Sequence, residues 1–183
     1  MRLLMLAASL RKDSVNKKLI HLAAKLAKET GSTIDLADFN EFSAPLYNAD
    51  VQNQEGFPKN ILSFVERMHA ADGLIISTPE YNYSIPGTLK NLIDWVSRIS
   101  PMPWSKQRIL LISASPSLVG GNRGLWATRV PLEGCGAFVY PDMFSLASAH
   151  ANFKDDGDLA DAEMQKRLQV SVDDFVSFVK KLK

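Results

Sequence analysis

The stretch that most clearly indicates the fold is residues 73–98, GLIISTPEYNYSIPGTLKNLIDWVSR. Its first six residues form a continuous apolar run, which is typical of a strand covered on both faces. A polar turn bounded by two prolines follows. The spacing of apolar residues then predicts a helix over residues 86–98, whose buried face is formed by Leu89, Leu92, Ile93 and Val96. Strand, polar turn and helix in this order make one unit of an α/β fold.

The same alternation runs along the rest of the chain. The predicted strands are Leu3–Ala8, Thr33–Phe39, Gly73–Thr78, Arg108–Ala114 and Ala137–Phe144. The predicted helices are Ser14–Lys28, Pro58–Ala71, Pro86–Arg98, Asn122–Leu132 and Leu159–Leu182. Strict alternation predicts a single α/β domain over residues 1–183. We expect a flavodoxin-like doubly wound five-stranded parallel sheet, order 2-1-3-4-5, with helices on both faces.

Charge and composition restrict the classes of partner. The chain has 21 Lys and Arg residues against 20 Asp and Glu residues, so it has no sequence-independent attraction to nucleic acid or to anionic lipid. No apolar run approaches the roughly 20 residues of a membrane span. The single cysteine, Cys135, has no second thiol to pair with and no nearby Cys or His at metal-ligand spacing. We therefore expect a cytoplasmic protein with no bound metal, a reduced structural thiol and a small-molecule partner.

Three loops rich in polar or small residues follow predicted strands one, three and four. They are Ser9–Asn16, Pro79–Gly87 and Ser113–Arg123. In a doubly wound sheet, ligands bind at the carboxyl ends of the strands, where the strand order reverses. In the order 2-1-3-4-5 these three strands are neighbours. The loops should therefore converge on one crevice.

The outer two loops each allow two interpretations. The first has hydroxyls, an amide and two cations before a helix, which suits a phosphate dianion, although neither the dinucleotide nor the Walker glycine pattern is present. Alternatively, Ser14 is an ordinary N-cap, and Arg11 and Lys12 are solvated. The third loop offers small side chains and backbone amides to the edge of a flat polar heterocycle, or is a flexible Gly/Ser turn.

Three motifs resemble one family. SLRKDSVN after the first strand, PEYNYSIPGTLKNLIDWVSR after the third and SASPSLVGGNRG after the fourth are similar to the NAD(P)H-dependent FMN reductases. The similarity is closest to bacterial quinone, chromate and azo-dye reductases, and it covers nearly the whole chain. The family often has glycine where this chain has Ala8, Asp13 and Ser117.

The resemblance implies a set of cofactor-binding residues. The FMN phosphate would be bound by Ser9, Arg11, Ser14 and Asn16. The ribityl chain and isoalloxazine would be wrapped by Pro79, Glu80, Tyr81 and Asn82. The pyrimidine edge would be bordered by Ser113, Ser115 and Ser117. Tyr81 would cover the place where nicotinamide and acceptor stack, with ordinary packing as the alternative.

The resemblance also implies an activity. It predicts an FMN-dependent NAD(P)H oxidoreductase, using NADPH or NADH, that passes electrons by a ping-pong mechanism to quinones or to chromate and azo compounds. No side chain is assigned as a catalytic acid, base or nucleophile. The family implies a homodimer or homotetramer, with Trp95, Trp126 and residues 40–58 as candidate interface elements; alternatively, these residues form or cover the core within one chain. The alternative is a flavodoxin-type electron carrier; such carriers are usually strongly acidic, whereas this chain has a formal charge of +1.

Overall fold

The computed structural model describes residues 1–182, and one parallel sheet forms its centre. The strands are β1 (Arg2–Ala7), β2 (Thr33–Ala37), β3 (Gly73–Ser77), β4 (Arg108–Ala114), β5 (Phe138–Val139) and β6 (Phe144–Leu146). Their order is β2-β1-β3-β4-β5, and β6 also pairs with β4. This confirms the predicted doubly wound order.

Helices cover both faces of the sheet, as predicted. They are α1 (Val15–Glu29), α2 (Ala49–Glu55), α3 (Lys59–His69), α4 (Gly87–Val96), α5 (Asn122–Gly134), α6 (Ala149–Asn152) and α7 (Ala162–Lys181). Helices α1 and α7 pack on one face, against side chains such as Leu3 and Met5 of β1. Helices α3, α4 and α5 pack on the other, against Leu4 and Leu6. Consecutive β1 residues thus face opposite cores, as the pleat of a strand requires.

Several predicted boundaries are wrong. The predicted strand 137–144 is split into β5 and β6, which both pair with β4, and Pro141 lies in the gap because proline cannot donate to a sheet ladder. The second strand ends at Ala37, since Asp38 caps a short 3-10 helix over residues 39–42. Helices α2 and α6 were not predicted. Helix α7 begins after its N-cap Asp161, three residues later than expected. Lys183, the end of the predicted domain, lies outside the described residues.

Trp95 belongs to the intramolecular core, which was one of its two predicted interpretations, and is not an interface element. Its side chain is fully buried, and its ring packs edge-on against Tyr47 with 5.1 Å between ring centroids. Its Nε1 donates to the Pro45 carbonyl oxygen at 2.7 Å, while the Asn91 side chain accepts from the Tyr47 amide at 2.9 Å. Trp95 and Asn91 therefore fasten the long loop before α2 to helix α4.

Within residues 1–182, no helix is long and apolar enough to cross a membrane.

Asp35 on edge strand β2 links three elements by ion pairs. Its carboxylate accepts from Arg67 of α3 and from Arg2 of β1, and Arg67 also donates to Glu41 at 2.8 Å. The hydrogen bond from Arg67, more than that from Arg2, holds the pKa of Asp35 below its usual range. A carboxylate with a lowered pKa in the folded state stabilises the fold above its unfolded pKa, and this contribution is lost as the pH falls.

We expect Asp35→Asn to lower the free energy of unfolding at pH 7 by about 1–2 kcal/mol, since charged hydrogen bonds are lost at a partly solvated site. The difference from the parent protein should shrink below about pH 4, where the parent carboxylate is also protonated. Urea unfolding at both pH values measures it. Asp155→Asn, at an exposed carboxylate, is the control. A difference that is the same at both pH values would contradict the ionic role of Asp35.

Candidate functional site

The three predicted loops meet at the carboxyl ends of β1, β3 and β4. Between them lies a cleft of about 120 Å³. Its walls include Ser9, Arg11, Ser14 and Asn16 from the first loop, Pro79, Glu80 and Tyr81 from the second, and Ala114, Ser115 and Pro116 from the third. Eight of the eleven predicted site residues therefore border one cleft; Asn82, Ser113 and Ser117 do not.

The first loop is built to receive an anion. Ser14 is the N-cap of α1, and its Oγ accepts from the Asn16 amide at 3.2 Å, which leaves the hydroxyl hydrogen free to donate. Within residues 1–182, the backbone N–H groups of Leu10 to Asp13 donate no hydrogen bond. Arg11 is exposed and donates to the Asp13 carbonyl oxygen at 3.2 Å. Helix terminus, hydroxyl and guanidinium make a donor set that fits a phosphate dianion.

Asn16 lies at the same helix terminus, but its side chain is turned toward the sheet. The residue is buried, and its Oδ1 accepts from the Ser77 hydroxyl at 2.9 Å and from the Ala114 amide at 3.0 Å. Its Nδ2 donates to the Ala114 carbonyl oxygen at 2.9 Å. These bonds occupy the side-chain oxygen and one of the two amide hydrogens. Asn16 therefore has fewer groups to offer a ligand than its neighbour Ser14.

The second loop contains a small hairpin. The amides of Tyr81 and Ser84 donate to each other's carbonyl oxygens at 3.1 and 3.0 Å. The two residues between them, Asn82 and Tyr83, have φ values of 49° and 66°, which is the left-handed pair that a type I′ turn requires. Asparagine adopts this conformation readily, whereas tyrosine does not. The Tyr83 ring lies 3.9 Å from the guanidinium carbon of Arg123, a cation–π contact that favours the turn.

Glu80 anchors this loop to the start of helix α5. Its Oε1 accepts from Arg123 Nε at 2.8 Å, and its Oε2 accepts from the Gly124 amide at 3.1 Å. The carboxylate raises the pKa of Arg123. A Cβ on Gly124 would lie 2.9 Å from the Glu80 Cβ, so only glycine allows this close approach. The charge of Glu80 is thus neutralised by Arg123 and by the helix terminus.

The third loop is held by hydrogen bonds to its neighbours. The Ser115 amide donates to the Leu146 carbonyl oxygen at 3.0 Å, and the Ser117 amide donates to Ser115 Oγ at 3.2 Å. Ser113 is fully buried behind the loop, where its Oγ has no hydrogen-bond partner among the described residues. A Cβ on Gly121, whose φ is +85°, would lie 2.1 Å from that Oγ. Ser115, rather than Ser113, lines the cleft.

Arg123, at the end of the third loop, was not predicted as a site residue. The charge of Glu80 was a signal that could have identified it. A carboxylate in an otherwise tightly packed turn needs a cationic or N–H partner. The nearest such groups on the predicted neighbouring helix are those of Arg123 and Gly124.

Comparison with known proteins identifies the family. Residues 1–151 match the family described as NADPH-dependent FMN reductase. The chain belongs to this family. The match spans all three loops of the cleft. It also confirms the resemblance seen in the three motifs.

Individual relatives of this reductase support the assignment. A quinone reductase of Escherichia coli is 40% identical over 137 residues, which is 73% of this chain and 70% of the relative. An NAD(P)H-dependent FMN reductase of Pseudomonas aeruginosa is 34% identical and covers 100% of this chain and 97% of its own length. The solved structure of a flavoenzyme NAD(P)H:(acceptor) oxidoreductase from Paracoccus denitrificans superposes with a TM-score of 0.84 and is 30% identical, covering 98% of this chain and 97% of its own.

Family membership confirms the predicted enzyme class and cofactor. The reductase is an oxidoreductase with FMN as its cofactor and NAD(P)H as its co-substrate. The donor set of the first loop fits the phosphate that distinguishes FMN from riboflavin. In the third loop, the amides of Ala114, Ser115 and Ser117 already donate within the protein. The roles of the individual cleft residues stay predictions.

Proposed function

We propose that this reductase is an NAD(P)H:quinone oxidoreductase in which nicotinamide and quinone use one place in turn. The observation that carries this proposal is that all three loops line one cleft, to which the first loop contributes anion donors and the second contributes Tyr81. Tyr81 is 54% exposed, so it offers an apolar surface to a flat ligand. The E. coli relative named as a quinone reductase supports the choice of acceptor.

The cleft residues have separate tasks in this proposal. Ser9, Arg11 and Ser14 hold the FMN phosphate, and the second and third loops hold the remainder of the cofactor. When bound, FMN supplies the hydride chemistry and the electron transfer. Among the described residues that line the cleft, the one carboxylate is that of Glu80, which is paired with Arg123. The side chains therefore bind and orient the ligands, and none is needed as an acid, base or nucleophile.

The function is tested with FMN-loaded protein, NADH or NADPH, and 1,4-benzoquinone. We expect consumption of at least one nicotinamide nucleotide and parallel lines in double-reciprocal plots, because one place serves both substrates. Intersecting lines would contradict ping-pong kinetics. Bound FMN without nicotinamide consumption would support the electron carrier instead. Chromate and azo dyes, which we propose as further acceptors, are tested in the same assay.

We also propose that the reductase is a homodimer or homotetramer. Trp126 and Val130 form an exposed stripe on α5, and both side chains are more than half exposed. Arg123 lies one turn earlier on this face, and its guanidinium packs over the exposed ring of Tyr83. The cleft of about 120 Å³ is small for a ligand site, since such pockets usually measure about 300–1,000 Å³. A second copy packed beside the cleft would supply the missing cover.

Trp126→Asp is therefore expected to reduce the particle mass. The parent protein should show at least twice 20.3 kDa by light scattering at micromolar concentration. The variant should shift toward 20.3 kDa, because it loses the apolar contact area of the ring and would have to desolvate a carboxylate in the interface. Leu62→Asp, on the exposed face of α3, is the matched control and should keep the parent mass. A parent mass of 20.3 kDa would refute the oligomer.

The predicted cytoplasmic location rests on the single unpaired cysteine and stays a prediction.

A further inference from the structure

We propose that Asn16 is a positioning residue that fixes the three cleft loops relative to one another, rather than a ligand of the FMN phosphate. This inference rests on the proposed flavin site. Asn16 is buried, and its side-chain amide makes three hydrogen bonds of 2.9–3.0 Å with Ser77 and Ala114. Those residues lie at the ends of β3 and β4.

The Asn16 amide takes the place of a strand residue. The register between β3 and β4 ends with Ser77 opposite Ile112, and the Thr78 amide still donates to the Ile112 carbonyl oxygen at 2.9 Å. Strand β4 continues to Ala114. There the Asn16 side chain accepts from the amide and donates to the carbonyl, which is how a neighbouring peptide would pair. The side chain therefore extends the sheet beyond the end of β3.

This position connects all three loops of the cleft. Asn16 lies two residues after Ser14, the N-cap at the phosphate end. Ser77 lies two residues before Pro79, where the second loop begins. Ala114 directly precedes Ser115, which lines the cleft. Without the amide, the N–H and C=O groups of Ala114 would lose their partners in a buried place, and the third loop would shift to recover them.

The two possible roles of Asn16 differ in how they treat FMN and riboflavin, because only FMN carries the phosphate. A phosphate ligand affects FMN alone. A positioning residue affects both flavins alike, since it sets the geometry of the whole cleft. The test is a fluorescence titration of Asn16→Ala with each flavin at 10 °C. We expect both dissociation constants to rise by a similar factor, on the order of tenfold or more.

Two further variants separate positioning from general stability. Ser77→Ala removes one of the three hydrogen bonds and should produce a smaller common loss for both flavins. Ser171 lies on α7, away from the cleft, and its buried hydroxyl donates to Asp142. Ser171→Ala should change neither dissociation constant. The absorption spectrum of flavin bound to Asn16→Ala should also shift, because the third loop borders the ring; Ser171→Ala should leave it unchanged.

Three results would overturn the inference while leaving the proposed flavin site intact. A loss confined to FMN would make Asn16 a phosphate ligand. Unchanged affinities would show that its hydrogen bonds do not set the geometry of the cleft. If Asn16→Ala did not fold, Ser77→Ala would take its place in the test. A folded Ser77→Ala variant with the flavin affinities and flavin spectrum of the parent protein would then overturn the inference. Failure of the parent protein to bind either flavin would instead refute the proposed flavin site, and the inference with it.

Discussion

Gly121→Ala should cause the largest loss of stability and of FMN binding among the substitutions discussed. The added Cβ would lie 2.1 Å from Ser113 Oγ, and the residue would have to keep a φ of +85°. Overpacking costs about 1–3 kcal/mol and the left-handed conformation about 1–2 kcal/mol, so we expect a total loss of about 2–5 kcal/mol. Because helix α5 begins at the next residue, the third loop should also shift. Urea unfolding and FMN titration measure the two effects.

A matched glycine isolates the steric part of this effect. Gly157 has a φ of +87°, and a Cβ there would meet no atom within 4 Å. Gly157→Ala should therefore lose only the conformational contribution, about 1–2 kcal/mol. Adding Ser113→Ala to Gly121→Ala should restore part of the stability, because the closest clash is with Ser113 Oγ. Equal losses at the two glycines, or no recovery in the double variant, would show that the close approach to Ser113 is unimportant.

Arg11→Ala is expected to weaken FMN binding strongly while leaving riboflavin binding almost unchanged. A charge-assisted hydrogen bond contributes about 1.5–3 kcal/mol, which corresponds to roughly 10- to 150-fold in the dissociation constant of FMN. The side chain is exposed, so its removal should not affect the fold. Fluorescence titration with FMN and with riboflavin gives two dissociation constants, and the change in their ratio tests this prediction.

The neighbouring cation provides the control for Arg11. Lys12 is also exposed and belongs to the same loop, but it does not line the cleft. Lys12→Ala should change the affinity for FMN far less than Arg11→Ala, because general charge is screened in salt whereas a direct contact is not. Equal effects of the two substitutions would show that Arg11 acts only through its positive charge and makes no direct contact with the phosphate. Equal weakening of both flavins by Arg11→Ala would remove it from the phosphate site.

The main elements of the fold were predictable because their signals are local. Buried parallel strands such as β3 read as continuous apolar runs, and helices such as α7 show a clear apolar stripe. The short helices were missed because they contain too few buried residues to produce an apolar pattern. Helix α2 has no buried residue, so no apolar periodicity marks it. The split between β5 and β6 was the exception, since Pro141 within the predicted strand was an available warning.

The site was predictable at the level of loops and less so at the level of side chains. Loop positions follow from strand order, which is why the cleft lies where the sequence placed it. The direction of a side chain depends on packing. Ser113 follows the alternation of β4 and points into the core, and Asn16 turns toward strands that are 61 and 98 residues away in sequence. No local pattern contains that information.

The environment of Cys135 affects how the protein withstands its proposed acceptors. Quinones are electrophiles that alkylate cysteine, and the thiolate is the form that reacts. Cys135 is the only cysteine in the chain, and it caps the end of α5 opposite to the one that Glu80 binds. Burial raises the pKa of its thiol, so little thiolate is present at neutral pH. The single thiol of the chain is thus held mainly in its protonated form, which reacts slowly with the proposed quinone acceptors.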